Sequence, residues 1–358
     1  MMHTNDRDPN TACAEQPVDA DAIRAEQPED AYAVRAEQPV DLIAAARAAQ
    51  LAAAPFREPG AIKLIAPAKV NLFLDIGQRR PDGYHEAISI MHALTLRDVL
   101  HMSAAPQRAG GLDINLECIA RGGLPPLDVP TERNIVSKAV RALARRIGRD
   151  EPETVTVRLE KHIPSEAGLG GGSSDAAAAL VGAARLWGLA PDDPRIEEVA
   201  RGLGADVAFF LHGGCACFDG VGDAFVHELE PMGSYAVLVK PEVGVSTAEA
   251  YRAFDAHPER IADSDRAQAL AARRACDVPL RNNLASASES LVPLLAEVRA
   301  WMEAQDGVDR ALMSGSGSAV FAPCRSFQAA SRIAAGAHAR GWWARATMFG
   351  PVRAAIVP

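Results

Sequence analysis

The chain has 358 residues, 48% hydrophobic and 23% charged, enough to bury a large core, and its length leads us to expect two domains. Its formal net charge of −9 argues against a nucleic-acid surface, which calls for a basic patch. Eleven acids against five arginines in residues 1–60 account for −6 of that charge, leaving −3 for the remainder. The six cysteines, at 13, 118, 215, 217, 276 and 324, include no C-x-x-C pair and no histidines at zinc spacing. Neither a zinc site nor a disulfide framework is expected, and reduced thiols suit a cytoplasmic protein. The first residues lack the basic start and apolar core of a targeting signal, and no apolar run reaches membrane-spanning length.

Residues 1–59 read as a disordered acidic tail, because Ala-Glu-Gln-Pro recurs at 14, 25 and 36 and aromatic residues are scarce. Within it, 42–54 reads as a short amphipathic surface helix. From residue 61 the pattern changes to strands over 62–65, 70–76 and 88–94, broken by Pro67 and by Pro81-Asp-Gly83. A helix is predicted over 135–147 and an alternating strand over 155–159. After a glycine-rich loop, Asp175 is expected to open an Ala-rich helix running to 187, with another helix over 196–203. Past residue 231 we expect strands at 235–239, 310–313, 319–322 and 352–356, and helices at 285–303 and 327–340, a separate α+β set. The expected domains are therefore 60–230 and 231–358.

The stretch Pro164, Ser165, Glu166, Ala167, Gly168, Leu169, Gly170, Gly171, Gly172, Ser173 and Ser174 joins a strand to a helix. Glycines let the backbone close around a ligand, and the free N–H groups with the helix dipole favour an anion. Ser173, Ser174 and Asp175 are good helix-capping residues. The loop is not a Walker A motif, since no Gly-Lys pair occurs in the chain, and G-x-G-x-x-G from Gly168 ends on Ser173. The flanking strand and helix favour a nucleotide phosphate over a plain turn.

Three segments together resemble the GHMP kinases: Ala66-Pro-Ala-Lys69-Val-Asn71-Leu, the Pro164–Ser174 loop, and Ser314-Gly315-Ser-Gly317-Ser-Ala. Arg80-Pro-Asp-Gly83-Tyr84-His85 adds a resemblance to the kinases of 4-diphosphocytidyl-2-C-methyl-D-erythritol, from about residue 61 onward. The resemblance implies a two-domain α+β fold, with an N-terminal α/β nucleotide-binding domain, a C-terminal ferredoxin-like domain and the active site in the cleft between them. It implies an ATP- and magnesium-dependent kinase acting on the 2-hydroxyl of that small molecule in the non-mevalonate route to isoprenoid precursors, with no membrane or obligatory protein partner. Lys69 and Asp206 would be catalytic, Asp206 as base and Lys69 beside the acceptor hydroxyl. Without the resemblance, Lys69 reads as a strand end and Asp206 as a helix cap. The loop and Asn134 would hold ATP, although Asn134 equally suits a plain N-cap. Asn71, Tyr84, His85, Thr247, Tyr251, Gly315 and Gly317 would meet the substrate, with Tyr84 against the cytosine ring and His85 at its edge. Ser174 is the one candidate magnesium ligand. The chain departs from the family in having Ala208 where proline is frequent, and Glu166-Ala167 where small residues are frequent. A glutamate beside phosphates is unfavourable unless it points to solvent or meets the metal. Two other readings stay open: a GHMP kinase for homoserine, mevalonate or a sugar, and a nucleotide-binding homologue without turnover.

Overall fold

The computed structural model describes residues 56–358, so the helix expected over 42–54 and nearly all of the tail lie outside the described residues. β1 (Ile62–Arg79) and β2 (His85–Pro106) form a long antiparallel hairpin. β1 runs unbroken through Pro67, where two strands were expected. Its register against β2 shifts between Pro67 and Lys69, and such a bulge accommodates a residue that cannot donate to the ladder. The Lys69 N–H released by this shift donates to Leu169 O at 2.9 Å, tying the strand to the glycine-rich loop.

β3 (Leu112–Ala120) lies parallel to β4 (Glu153–Lys161), with α1 (Ile135–Ile147) in the crossover. The larger sheet runs β12–β1–β2–β4–β3, where β12 (Ala355–Val357) returns from far along the chain. β2 forks along one edge. Ser89–His92 pair with β5 (Cys215–Asp219), which carries β6 (Ala224–Leu229), whereas Val99–Pro106 pair with β4. The loop that follows β4 emerges at this fork.

α2 (Gly171–Leu186), α3 (Pro194–Leu203) and α4 (Ala205–His212) pack with α1 over the larger sheet. α2 lies close to the sheet because its buried face is small. Ala176, Ala177, Ala178 and Ala179 are fully buried, and a Cβ on Gly182 would come within 2.5 Å of Met102 Sδ.

The second sheet contains β7 (Tyr235–Lys240), β9 (Leu312–Met313), β10 (Val320–Cys324) and β11 (Trp343–Met348), ordered β11–β7–β10–β9 with every pair antiparallel. α8 (Leu294–Glu303) lies between β7 and β9 in the chain and α9 (Phe327–His338) between β10 and β11, giving the expected ferredoxin-like split β-α-β order. The helix expected over 285–303 is divided into α7 (Ala285–Leu291) and α8, because Pro293 cannot continue the hydrogen-bond ladder. α5 (Thr247–Ala256) and α6 (Asp263–Ala271) precede α7. β8 (Arg281–Asn282) pairs with β1 at Phe73 and Leu74, so the later half of the chain contributes both β8 and β12 to the first sheet.

Candidate active site

The bulge in β1 presents Lys69 and, two residues on, Asn71 to one face of the strand. Lys69 is 3% exposed; its Nζ donates to Asn71 Oδ1 at 2.7 Å and lies 3.2 Å from Asp206 Oδ2. The Asn71 amide nitrogen donates to Ser89 Oγ at 2.9 Å, which turns its carbonyl towards the lysine. Asp206 is the second residue of α4, and the capping position belongs to Gly204, so Asp206 is not the N-cap. A carboxylate in the first turn is favoured by the helix dipole. With its side chain one-third exposed, it remains open to a ligand while ion-paired to a buried ammonium.

Both ends of the glycine-rich loop are pinned by one buried network. Asp98, in β2, accepts from the backbone N–H groups of His162 at 2.5 Å and Ile163 at 2.8 Å, and from Lys161 Nζ. Lys161 Nζ also donates to Asp175 Oδ2 at 2.5 Å. Burial pulls the Lys161 ammonium down, but Asp175 and Asp98 outweigh it and raise its pKa overall. Burial raises the Asp175 carboxyl well above the usual range, against the pull of Lys161.

Within this frame α2 begins at Gly171, four residues before the expected start at Asp175, with Gly170 at φ 70° as N-cap. Ser173 and Ser174 therefore sit in the first turn, with Asp175 just past it, and none of them caps it. Because Ser174 N makes the first ladder bond to Gly170 O, the amides of Gly171, Gly172 and Ser173 precede the helix hydrogen bonds and face outward as donors. They border a cavity of about 370 Å³ lined by the loop residues 164–173, Arg133, Asn134 and Lys161. Asn134 does two things. Its Oδ1 caps α1 by accepting from Val136 N at 2.9 Å, and the residue also lines the cavity. Glu166, at φ 51°, extends its exposed side chain towards Gly244, where a Cβ would meet its Oε2 at 2.4 Å, and towards Lys240.

The Ser314–Ser318 turn docks on this loop. Ser314 Oγ donates to Gly168 O at 2.8 Å, and the N–H groups of Ser318 and Ala319 donate to Glu166 O and Ala167 O, each at 3.1 Å. Gly168 has φ 69°, and a Cβ there would lie 1.9 Å from Ser314 O, so only glycine fits. A Cβ on Gly315, at φ 56°, would lie 3.5 Å from Asn71 Oδ1 and from Gly168 Cα, and one on Gly317, at φ 92°, would lie 2.9 Å from Met313 Sδ. Gly315 thus sits where the turn approaches the loop, whereas Gly317 makes room for Met313.

At the hairpin turn Tyr84 is 66% exposed, whereas His85 is buried. His85 Nε2 lies 2.6 Å from Asp255 Oδ1, and its ring centroid is 5.1 Å from that of Tyr251. Tyr251 and Asp255 both come from α5, whose first residue, Thr247, has its hydroxyl 2.9 Å from Ser316 Oγ. Burial, with the nearby charge of Asp206 adding to it, pushes the Tyr251 hydroxyl up to about 12.

The model of the GHMP kinases N terminal domain matches residues 134–214, and that of the GHMP kinases C terminal matches 262–341. A 4-diphosphocytidyl-2-C-methyl-D-erythritol kinase of Desulfitobacterium hafniense is 39% identical over 279 residues, 76% of this chain and 91% of that protein. The kinase of the same name from Bacillus velezensis is 37% identical over 72% of this chain and 86% of its own length. The chain belongs to the 4-diphosphocytidyl-2-C-methyl-D-erythritol kinase family. The crystal structure of such a kinase superposes with a TM-score of 0.63 at 35% identity, covering 81% of this chain and all of that one. Homoserine kinase of Cytophaga hutchinsonii, with a TM-score of 0.61 at 20% identity, shares the fold.

In this kinase the stretch matched as N-terminal domain holds the loop and Asp206 but not Lys69, Tyr84 or His85; β1 and β2 bring those in from outside it. Sequence reasoning missed the Asp98–Lys161–Asp175 network and Asp255. The only sequence signal for the first was a lysine at the inner end of a strand and an aspartate inside an Ala-rich helix. Among the described residues of the kinase no helix is long and apolar enough to cross a membrane.

Proposed function

We propose that the protein transfers the γ-phosphoryl group of ATP to the 2-hydroxyl of 4-diphosphocytidyl-2-C-methyl-D-erythritol, giving the 2-phosphate and ADP. The observation that carries this reading is the Lys69–Asp206 pair, 3.2 Å apart and in contact with the glycine-rich loop. The contact is backbone-deep: Lys69 N bonds Leu169 O, and a Cβ on Gly170 would lie 3.0 Å from Lys69 Cγ. Phosphate donor and acceptor hydroxyl would meet at that point. Asp206 Oδ2 takes the proton of the attacking hydroxyl, and Lys69 Nζ stabilises the negative charge that develops on its oxygen. Asn71, oriented by Ser89, positions the acceptor. The amides of Gly171, Gly172 and Ser173 and the α2 dipole hold the phosphates, in keeping with phosphoryl transfer as positioning plus charge stabilisation.

Among the described residues no group of three histidine, cysteine or acidic side chains could hold a metal ion. Magnesium needs few protein ligands, since it keeps waters and takes phosphate oxygens. Ser174 Oγ has no hydrogen-bond partner but is fully buried between the cavity-lining residues Ser173 and Asp175, so it would hold such an ion only by turning towards the cavity. The ion would neutralise phosphate charge there. We assign 60–230 to the nucleotide-binding domain and 231–358 to the second, with Tyr84 and His85 meeting the cytosine. The free thiols of Cys118, Cys215, Cys217, Cys276 and Cys324 support a reducing, cytoplasmic setting.

The test is ADP release with magnesium and ATP from the cytidyl substrate, beside homoserine, mevalonate and galactose, for wild type and Asp206→Ala. Turnover confined to the cytidyl substrate and lost in the variant is expected. Turnover of another alcohol overturns the substrate, and ATP binding without any turnover overturns the activity.

A further inference from the structure

Asp255 lies in the last turn of α5. Its Oδ1 is 2.6 Å from Nε2 of His85, whose side chain is 6% exposed, and its other oxygen is 3.9 Å from Arg79 Nη1. An ionised carboxylate can only accept a hydrogen bond, so the ring proton in this contact sits on Nε2. The Tyr251 ring at 5.1 Å and the edge-on Phe254 ring at 6.4 Å restrict the plane of the imidazole. That leaves Nδ1 of a neutral ring as a lone-pair acceptor. Cytosine carries an exocyclic amine, a donor, where uracil carries a carbonyl, an acceptor. An Nδ1 lone pair therefore accepts from the first and repels the second.

We propose that Asp255 is a positioning residue that fixes His85 as the Nε2–H tautomer and so makes the site select cytosine over uracil. The proposal rests on the reading that His85 meets the base. A carboxylate that orients an imidazole through one nitrogen sets what the other nitrogen can do.

The experiment compares wild type, Asp255→Asn and Asp255→Ala for kcat/KM on the cytidyl substrate and on its uridyl counterpart. Alongside it, nitrogen-15 correlation spectra of the His85 ring report which nitrogen carries the proton. In wild type the proton is expected on Nε2. In both variants the preference for the cytidyl compound should fall about 10-fold or more, roughly the effect of unmaking one buried polar contact. The loss should fall on the cytidyl compound. A merely structural role for Asp255 would lower both substrates equally, and that result, or a wild-type proton on Nδ1, overturns the proposal. Wild type that turns over neither compound overturns the substrate reading and the base preference with it, while the spectra still decide the tautomer.

Discussion

Gly168 and Gly172 belong to the same glycine-rich run, yet replacing each by alanine should have opposite consequences. Gly168 is left-handed, which costs an alanine about 1–2 kcal/mol. Its new Cβ would sit 1.9 Å from Ser314 O, so the 314–318 turn must move off the loop. That movement breaks the bonds from Ser314 Oγ to Gly168 O and from the N–H groups of Ser318 and Ala319 to Glu166 O and Ala167 O, at about 1 kcal/mol each. The sum is about 4–5 kcal/mol, a large part of the roughly 5–15 kcal/mol that holds a domain folded. If the turn detaches without unfolding, the loss appears instead as a rise in KM for ATP, because the loop is no longer clamped. Gly172 is helical, and the nearest atom to its Cβ would be Ile135 Cγ2 at 3.8 Å, an ordinary contact. Alanine there should stabilise by about 0.5–1 kcal/mol through chain entropy. Urea unfolding followed by tryptophan fluorescence, with KM for ATP measured on the same samples, separates the two. A Gly168→Ala protein within about 1 kcal/mol of wild type and with an unchanged KM would refute the docking argument.

Tyr84→Ala should leave the unfolding midpoint unchanged, since the side chain is exposed, while raising KM for the cytidyl substrate about 5- to 100-fold through lost stacking; steady-state kinetics beside a melting curve check both. Asp206→Asn should lower kcat about 10²–10⁴-fold with little effect on KM for ATP. Burial lowers the pKa of His92 to about 4 from 6.5, partly offset by the Ala93 carbonyl, and its Nε2 accepts from Met232 N at 3.0 Å. The unfolded chain therefore binds a proton that the native ring refuses between pH 6.5 and 4. Stability should fall across that window as pH drops, by about 3 kcal/mol, and urea midpoints of His92→Gln should lose that component of the slope. Among the described cysteines, Cys276 is exposed and should react first with a thiol reagent, whereas burial raises the Cys118 and Cys217 thiols to about 11. Mass mapping of the alkylated protein gives the order.

Much of the fold was legible wherever local pattern decides it. The helix at 135–147 has its observed bounds, helped by Asn134 ahead of it and Gly148 behind, and β7 differs from its expected span by one residue. What failed was decided at a distance. Pro67 reads as a strand break, but a bulge stabilised by Leu169, a hundred residues on, carries β1 through it. Asp175 reads as a helix start because an aspartate usually caps. It is buried just past the first turn because Lys161, itself held by Asp98, meets it there. Residues 247–256 gave no helix signal strong enough to state, and so the partner of His85 stayed hidden. In the candidate site the types Lys69 and Asp206 were legible from their motifs. Their 3.2 Å separation joins β1 to α4, and the serine that clamps the loop follows β9, so both depend on elements more than a hundred residues apart.

The last strand pairs Ala355, Ile356 and Val357 with Ile65, Leu64 and Lys63, just ahead of the bulge that carries Lys69. The strand bearing the candidate catalytic lysine therefore has an open edge until residues 355–357 have left the ribosome. A nascent chain can build the hairpin and the loop early, but it cannot close the edge at Lys63, Leu64 and Ile65, and any cleavage that removes those three residues reopens it.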